Sequence, residues 1–204
     1  MANTDNAFGL RPVRHPSGHS KVQVNAYAVD AAYATALFIG DPVIKSGTAN
    51  DAVISAPGVG TFPVGALPEV EKATAGDGNA ITGVIVGVAA NPDALGRNYL
   101  PASTGGIVLV ADDPSQVFEI QADGSITETS VGLNAVLIYT NPGSTVTGLS
   151  GVELDTTSDV PAADASNQLT ILGFRTKPND ETGANAKLLV RINNHTEAHG
   201  AIGI

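Results

Sequence analysis

The stretch Gly105–Gln121, GGIVLVADDPSQVFEIQ, decides the fold predicted for this chain. Its first half contains Ile107–Val110, a continuous aliphatic run typical of a strand that is buried on both faces. Its second half, Val117–Gln121, alternates between two faces as a strand does. Asp112–Ser115 lies between them and is rich in turn formers, because Asp bonds its own backbone and Pro fixes φ. We therefore predict a hairpin at the centre of a β-fold.

The rest of the chain repeats this pattern of short strands and turns. The further strand candidates are Val22–Val29, Leu37–Ile39, Val43–Lys45, Ala52–Ala56, Ile81–Val88, Val131–Tyr139, Val152–Leu154, Gln168–Phe174 and Lys187–Ile192. Only two short helical turns are expected, at 30–36 and 91–96, and no amphipathic helix reaches four turns. About ten short strands with frequent turn signals predict an all-β fold, either an antiparallel barrel or a jelly-roll-like sandwich.

Two parts of the chain are predicted from its proline and glycine content. Residues 1–20 lack periodicity and contain two prolines and two glycines, which predicts an extended N-terminal arm. Residues 21–204 are predicted to form a single β-rich domain, in which 57–79 and 140–167 are protruding loops. Long connections of this kind usually work at a surface.

Charge is distributed unevenly along the 204 residues. The net charge is −10, but residues 1–21 carry Arg11, Arg14 and Lys21 against Asp5 alone. The remaining residues contain seven Lys/Arg and nineteen Asp/Glu, a net charge of −12. An acidic body is unsuited to wrapping nucleic acid, so we predict no nucleic-acid partner. A basic arm is suited to lie on an acidic protein surface.

The composition also bears on where the protein is found. The chain has no Cys, which excludes disulfides and thiolate metal sites. Its N-terminal residues have no apolar segment of the secretory type. The longest apolar run, Ile81–Ala90, is half the roughly 20 residues that a membrane span needs. We expect a soluble protein made in the cytoplasm, without a membrane partner.

Few residues suggest a catalytic or metal-binding site. Two histidine pairs have the i, i+4 spacing that allows metal chelation on a helix: His15/His19 and His195/His199. Neither pair lies in a helical pattern, so solvated histidines are the preferred interpretation. The acids at Asp112–Asp113 and 77–79 fit turns better than a calcium loop. No nucleophile elbow, Walker A or dinucleotide motif occurs, and no Trp is present to stack on a sugar. We predict no enzyme activity, no cofactor and no metal.

A set of sequence blocks then carries a family resemblance. The blocks are NAFGLRPVRH (Asn6–His15), ATALFIGDPV (Ala34–Val43), ITGVIVGV (Ile81–Val88), YLPAST (Tyr99–Thr104), VLVADDP (Val108–Pro114), FEIQ (Phe118–Gln121), VGLNA (Val131–Ala135) and LLVRINNH (Leu188–His195). Together they resemble a family of tailed-bacteriophage virion proteins, the structural cement or capsid decoration proteins. The blocks run in order from residue 6 to residue 195, so the resemblance covers nearly the whole chain.

The resemblance implies a role in the virion and no catalytic residues. It implies a β-rich protein that binds the outer surface of the major capsid protein lattice and stabilises the expanded head. It also implies assembly with itself, as a homotrimer or a homodimer. The less favoured alternatives are a tail or receptor-binding virion protein, a minor coat protein, or the major coat protein itself.

Within this interpretation the arm is the expected capsid-binding segment. We expect Phe8 and Leu10 to be apolar anchors, and Arg11 and Arg14 to donate to capsid carboxylates. The arm is also able, in principle, to add as a strand to a capsid sheet edge. Deletion of residues 1–15 is then expected to abolish capsid binding and leave the fold intact. The alternative is that the arm packs on its own domain.

Overall fold

A closed five-stranded barrel and a five-stranded antiparallel sheet contain most of the strand residues of the computed structural model, which describes residues 3–18, 21–175 and 180–198. The strands are β1 Arg11–Arg14, β2 Asn25–Val29, β3 Leu37–Phe38, β4 Pro42–Ala49, β5 Ile54–Ala56, β6 Gly60–Phe62, β7 Pro68–Lys72, β8 Gly83–Val88, β9 Tyr99–Leu100, β10 Gly106–Ala111, β11 Val117–Gln121, β12 Ser125–Ile126, β13 Asn134–Ala135, β14 Leu137–Ile138, β15 Glu153–Leu154, β16 Leu169–Phe174, β17 Gly183–Ala184 and β18 Lys187–Ile192. In these ranges the only helix is the 3-10 turn Glu128–Ser130. The predicted all-β class is therefore confirmed, with a barrel as one of its two main parts.

The barrel has the strand order β10-β2-β7-β4-β8 and closes where β8 pairs with β10. Its neighbours are antiparallel except β2 and β7, which run parallel and pair only at Ala28 and Glu69. Alternation along each strand directs one set of apolar side chains inward. The interior is formed by Tyr27, Val29, Leu37, Val43, Val70, Ile85, Leu100, Val108 and Val110. The barrel interior is therefore a packed core made mainly of aliphatic side chains.

The second part is the sheet with the order β1-β11-β18-β16-β13. One of its faces supplies most of the largest apolar core. Its buried side chains from the three central strands are Phe118, Ile120, Leu169, Ile171, Leu188, Val190 and Ile192. The same core includes Val84 of β8 and Ala111 of β10. The sheet therefore packs on the barrel with its apolar face, and its other face is left for polar residues.

The stretch 105–121 forms two strands but not the predicted hairpin. β10 pairs with β2 and β8 in the barrel, whereas β11 pairs with β1 and β18 in the sheet. The corner between them is bound to both parts. Asp112 Oδ2 accepts a hydrogen bond of 2.7 Å from Tyr27 Oη of β2, and Gln116 Nε2 donates at 2.9 Å to the carbonyl of Arg14 in β1. This corner is therefore the connection through which the chain passes from barrel to sheet.

The N-terminal segment is extended, but it packs on its own domain. β1 lies antiparallel to β11, with Arg11 opposite Glu119. Leu10 is 2% exposed and belongs to the main core. Its N–H donates to the carbonyl of Gly40 at 2.9 Å. Gly9 has φ +73°, and a Cβ there would lie 2.5 Å from the Gly40 carbonyl oxygen, so this close crossing requires glycine. The described part of the predicted arm is thus a strand of the sheet and the segment leading to it.

The two predicted loops are more structured than expected. Residues 57–79 contain the short strand β6 and the barrel strand β7, so the loop prediction is wrong for Pro68–Lys72. Residues 140–167 are mostly irregular, yet 150–156 are all buried, so this part does not protrude. The expected helical turn after Asp30 is a non-helical turn, in which Asp30 Oδ1 accepts the N–H of Ala32 at 2.7 Å.

Candidate partner-binding surface

The four residues expected to bind a partner are placed in different environments. Leu10 is buried in the protein's own core, so its expected role as an exposed anchor is corrected. Phe8 is half-buried. Arg11 and Arg14 are exposed at the two ends of β1. The structure therefore keeps Phe8, Arg11 and Arg14 accessible to a partner and removes Leu10 from that set.

The sheet carries a charge opposite to that of the whole protein. Its five strands contain Arg11, Arg14, Lys187, Arg191 and a single acid, Glu119, which gives them a net charge of +3. The whole chain has a net charge of −10, so all other residues together carry −13. The five barrel strands contain two Lys and two Glu and are neutral. Positive charge is thus a property of this sheet and not of strands in general.

Strand register places these cations on one face. Residues directly opposite one another on neighbouring strands share a face. Val117 is opposite both Arg14 of β1 and Arg191 of β18, and Arg191 is in turn opposite Thr170 of β16. Strands are about 4.8 Å apart, so the Arg14 and Arg191 backbones are separated by roughly 10 Å. Lys187 lies further along the same face of β18. We name the outward sheet face carrying these four cations and Arg175, the residue after β16, the basic face.

The basic face is organised around a buried carboxylate. The Glu119 side chain has no exposed surface, and its Oε2 lies 2.7 Å from Arg11 Nη2 and 3.6 Å from Arg175 Nε. A buried carboxylate is strongly unfavourable unless it is paired and hydrogen-bonded. Arg11 contributes a charge-assisted hydrogen bond to that compensation, and Arg175 adds a longer ion pair. The Arg11 side chain remains 53% exposed. Glu119 therefore orders cations that still face solvent.

Two further cations of this face have no counter-ion in the described part of the chain. Arg14 and Arg191 are both exposed, and neither forms an ion pair with residues 3–18, 21–175 or 180–198. Lys187, by contrast, lies 3.6 Å from Asp180. The arginine guanidinium group matches carboxylates with two parallel hydrogen bonds. Arg14 and Arg191 are therefore available to acidic groups of another molecule.

An apolar slot adjoins the basic face at β1. It has a volume of about 210 Å³. Its lining residues are Phe8, Leu10, Arg11, Pro12, Ile39, Gly40, Ile85, Val86 and Leu149. The arm forms one wall, and β8 with the turn around Ile39 forms the opposite wall. The Arg11 guanidinium carbon lies 5.0 Å from the centre of the Phe8 ring, a cation–π arrangement. The slot is therefore apolar inside and carries a cation at its rim.

Of the histidines with metal-chelating spacing, which were expected to be solvated, the two that the structure describes, His15 and His195, lie near the barrel-to-sheet corner. His15 Nε2 is 3.2 Å from Asp113 Oδ2. Burial opposes ionisation of Asp113, but the Ser115 N–H and His15 outweigh it and hold its pKa below the ordinary value. His195 is 4% exposed, and its Nδ1 accepts the N–H of Glu197 at 2.9 Å. Burial lowers the pKa of His195. The other members of the two pairs, at positions 19 and 199, lie outside the described residues.

The buried carboxylates Asp41 and Glu153 form hydrogen bonds with other groups of the chain. Asp41 Oδ1 accepts from Ser150 Oγ at 2.6 Å and lies 2.9 Å from Lys72 Nζ, and Oδ2 accepts the N–H of Phe38 at 2.8 Å. Glu153 accepts from Gln121 Nε2 at 3.0 Å, and its pKa is raised because burial penalises the charged form. Both acids are saturated by donors of the chain itself. They hold the loop 141–156 against the barrel and the sheet.

The described residues contain neither a metal-binding cluster nor a membrane-spanning helix. Over residues 3–18, 21–175 and 180–198, no three His, Cys, Asp or Glu side chains are grouped so that they could hold a metal ion. Within the same ranges, no helix has the length and hydropathy needed to span a bilayer.

Comparison with known proteins adds no relative. No family model, no curated protein and no solved structure matches this chain.

Proposed function

We propose that this protein is a non-enzymatic virion structural protein that binds the outer surface of a phage capsid lattice and stabilises the expanded head. The observation that carries the proposal is the basic face, with a strand charge of +3 on a chain of −10. The resemblance of the ordered sequence blocks to cement proteins supplies the class of partner, the major capsid protein. The proposed location is the outside of the virion.

The charge distribution supports a protein partner over a nucleic acid. A phosphate backbone presents negative charge in all directions, so an acidic protein is repelled from it outside a small contact area. Outside the five sheet strands, this chain has a net charge of −13. A folded partner with a local group of carboxylates contacts the basic face alone. The basic face therefore suits docking on an acidic patch of a protein surface.

The strength of such contacts indicates why assembly matters. Exposed ion pairs contribute about 0.2–1 kcal/mol each, so Arg14 and Arg191 alone give weak binding. A protein that recognises only the assembled lattice shifts the lattice equilibrium by mass action. A homotrimer or homodimer brings two or three basic faces to neighbouring sites and multiplies weak contacts through effective concentration. We therefore include self-assembly in the proposal.

The test is rebinding to capsids of the phage that encodes the protein. Heads are stripped of the protein with mild chaotrope, and the purified protein is added back and co-sedimented. R14E/R191E reverses the two unpaired cations of the basic face. Arg97→Glu is the matched control, because Arg97 is exposed, lies between β8 and β9 and belongs to none of the strands of the sheet. We expect at least a tenfold loss of affinity for the double variant and less than a twofold change for the control.

Two results contradict the proposal. The first is equal rebinding of the double variant and the control, which removes the basic face as the docking surface. The second is a copy number of about a dozen or fewer per purified virion, which fits the alternative of a tail or receptor-binding protein. Hundreds of copies that are released while the shell stays intact support a cement protein over a coat protein.

A further inference from the structure

The apolar slot beside β1 is the strongest unassigned feature of the molecule. Its walls come from four separate parts of the chain: the arm at Phe8 and Pro12, the turn at Ile39, strand β8, and the loop residue Leu149. Leu149 is 39% exposed, and Val146 on the same loop is 91% exposed. Large exposed apolar side chains next to a concave apolar site are typical of protein interaction surfaces.

We propose that the slot receives one apolar side chain of the same acidic partner protein, from a segment in which that side chain is flanked by carboxylates. This inference rests on the proposed function, because the partner is the one that docks on the basic face. Leucine and phenylalanine are the side chains it best accommodates. The slot supplies the apolar anchor of the interface, and Arg11 supplies the adjoining charged contact.

The volume of the slot favours a side chain of a partner protein over a free small-molecule ligand. Small-molecule sites usually enclose about 300–1,000 Å³ and bury most of the ligand. The slot has about 210 Å³, which is too small for a typical cofactor and large enough for one aliphatic or aromatic side chain. Its lining is apolar apart from Arg11 and backbone groups. A protein side chain carried on a backbone outside the slot fits these dimensions.

The positive charge at the rim of the slot favours a partner segment with acidic residues on either side of the apolar one. Arg11 lines the slot and is also a member of the basic face. Its Nη2 binds Glu119 at 2.7 Å, and the guanidinium has five N–H donors in all. The side chain is 53% exposed, so a partner carboxylate is able to reach it. Arg14 lies three residues further along the same strand and is unpaired among the described residues. The slot and the basic face therefore form one continuous surface, which suits a partner segment with an apolar side chain next to acidic residues.

An apolar anchor with a charged rim also matches the energetics of interfaces. A few buried apolar contacts contribute most of the binding free energy, and surrounding polar contacts exclude water. Phe8 is held in place by the Arg11 guanidinium, 5.0 Å from its ring centre. This contact restrains Phe8 before binding, which reduces the entropy cost of association.

The experiment uses three synthetic hexapeptides and the full-length protein labelled at its methyl groups. The first peptide has Leu-Phe between two pairs of Glu, the second has Ser-Ser between the same pairs, and the third has Leu-Phe between two pairs of Lys. Binding is followed by NMR through the methyl signals of Ile39, Val86 and Leu149. We expect the first peptide to shift these signals and the other two to bind at least tenfold more weakly.

Variants make the test specific to the slot. Leu149→Asp places an acid at the slot, whereas Leu95→Asp makes the same change at a leucine that is 76% exposed and is not one of the lining residues. The methyl spectrum shows whether each variant is folded. We expect Leu149→Asp to lose binding of the first peptide and to weaken capsid rebinding at least tenfold, and Leu95→Asp to retain both.

The outcomes separate this inference from the proposed function. The inference is overturned when the first peptide leaves the three methyl signals unshifted, or when the Ser-Ser peptide shifts them equally. It is also overturned when Leu149→Asp rebinds capsids normally while R14E/R191E does not, and in that case the basic face still stands as the docking surface. Normal rebinding by both variants overturns the two proposals together.

Discussion

Replacing Leu10 with alanine tests whether the N-terminal segment is part of the folded domain. Leu10 is 2% exposed and shares its core with Phe118 and Ile120 of β11. The truncation removes three buried carbons, and at about 0.8 kcal/mol each their transfer contributes about 2.4 kcal/mol. Incomplete collapse around the cavity raises the expected loss in the free energy of unfolding to about 3–4 kcal/mol.

The measurement is urea and thermal unfolding followed by circular dichroism, since the protein has no Trp for fluorescence. For a chain of 204 residues, each 1 kcal/mol shifts Tm by about 2–4 °C. The Leu10→Ala variant should therefore unfold about 10 °C lower. The control is Leu95→Ala, an identical truncation at a site that is 76% exposed, where the expected change is below about 0.5 kcal/mol.

Equal stability of the two alanine variants would refute the placement of Leu10 in the core. It would restore the interpretation of residues 1–20 as a separate arm. The predicted stability loss also changes the meaning of the 1–15 deletion. That deletion removes Leu10 and the strand opposite Glu119, so we expect it to destabilise the fold. Point substitutions at Arg14 and Arg191 are the cleaner test of capsid binding.

Three further predictions follow from backbone geometry and buried charge. Gly9→Ala should cost about 3 kcal/mol or more in urea unfolding, because φ is +73° and the new Cβ would meet the Gly40 carbonyl oxygen at 2.5 Å. Gly18→Ala, with φ +79° and no atom within 4 Å, should cost only about 1 kcal/mol; similar losses at both sites would contradict the close crossing. Burial lowers the pKa of His195 below 6.5, so the unfolded chain is protonated first as the pH falls. The free energy of unfolding should therefore decrease as the pH drops through 6.5. If His195→Gln shows the same pH dependence of unfolding between pH 7 and 5 as the wild type, this prediction is wrong. Burial raises the pKa of Glu153 above 4.5, so the folded state protonates first and this group should favour folding as pH falls through the raised value towards 4.5. Glu153→Gln should remove that contribution from the pH dependence of unfolding, and a wild-type profile in the variant would argue against it.

The sequence identified strands well and pairing poorly. Aliphatic runs and alternation located β8, β10, β11, β16 and β18, because each strand signal is local. The partner of a strand depends on distant residues. β10 and β11 are adjacent in sequence, yet they belong to different sheets because the corner at Asp112 bonds to β2 and the corner at Gln116 bonds to β1. The expected hairpin failed for this reason.

β7 was missed because its residues are unusual for a strand in a barrel. Pro68–Lys72, PEVEK, contains a proline and three charges. Glu69 is 9% exposed, and its carboxylate accepts a hydrogen bond of 2.6 Å from Thr48 Oγ1 of β4. A buried acid is tolerated only with such a partner. The alternation around Val70 was the available signal, and the compensating hydroxyl is visible only in three dimensions.

The sequence pointed to two of the four strand cations that make up the basic face. Arg11 and Arg14 were chosen from the charge of the N-terminal segment, and both lie on the basic face. Their neighbours Lys187 and Arg191 are more than 170 positions away in sequence, and only the order β1-β11-β18 brings them together. Leu10 was misjudged because its segment has no periodicity, so the sequence could not show that this one side chain enters the core. The virion role stays a prediction.

β1 is an outermost strand of its sheet, and its construction limits how copies of the protein can associate. It is only four residues long, contains Pro12, has a register shift between Pro12 and Arg14, and carries an exposed arginine at each end. Each of these features discourages another chain from continuing the hydrogen-bond ladder. A long unprotected edge would otherwise favour fusion of sheets into fibres at high local concentration. At this edge the molecule therefore meets its neighbours through side chains, which protects it from polymerising along β1 when many copies are close together.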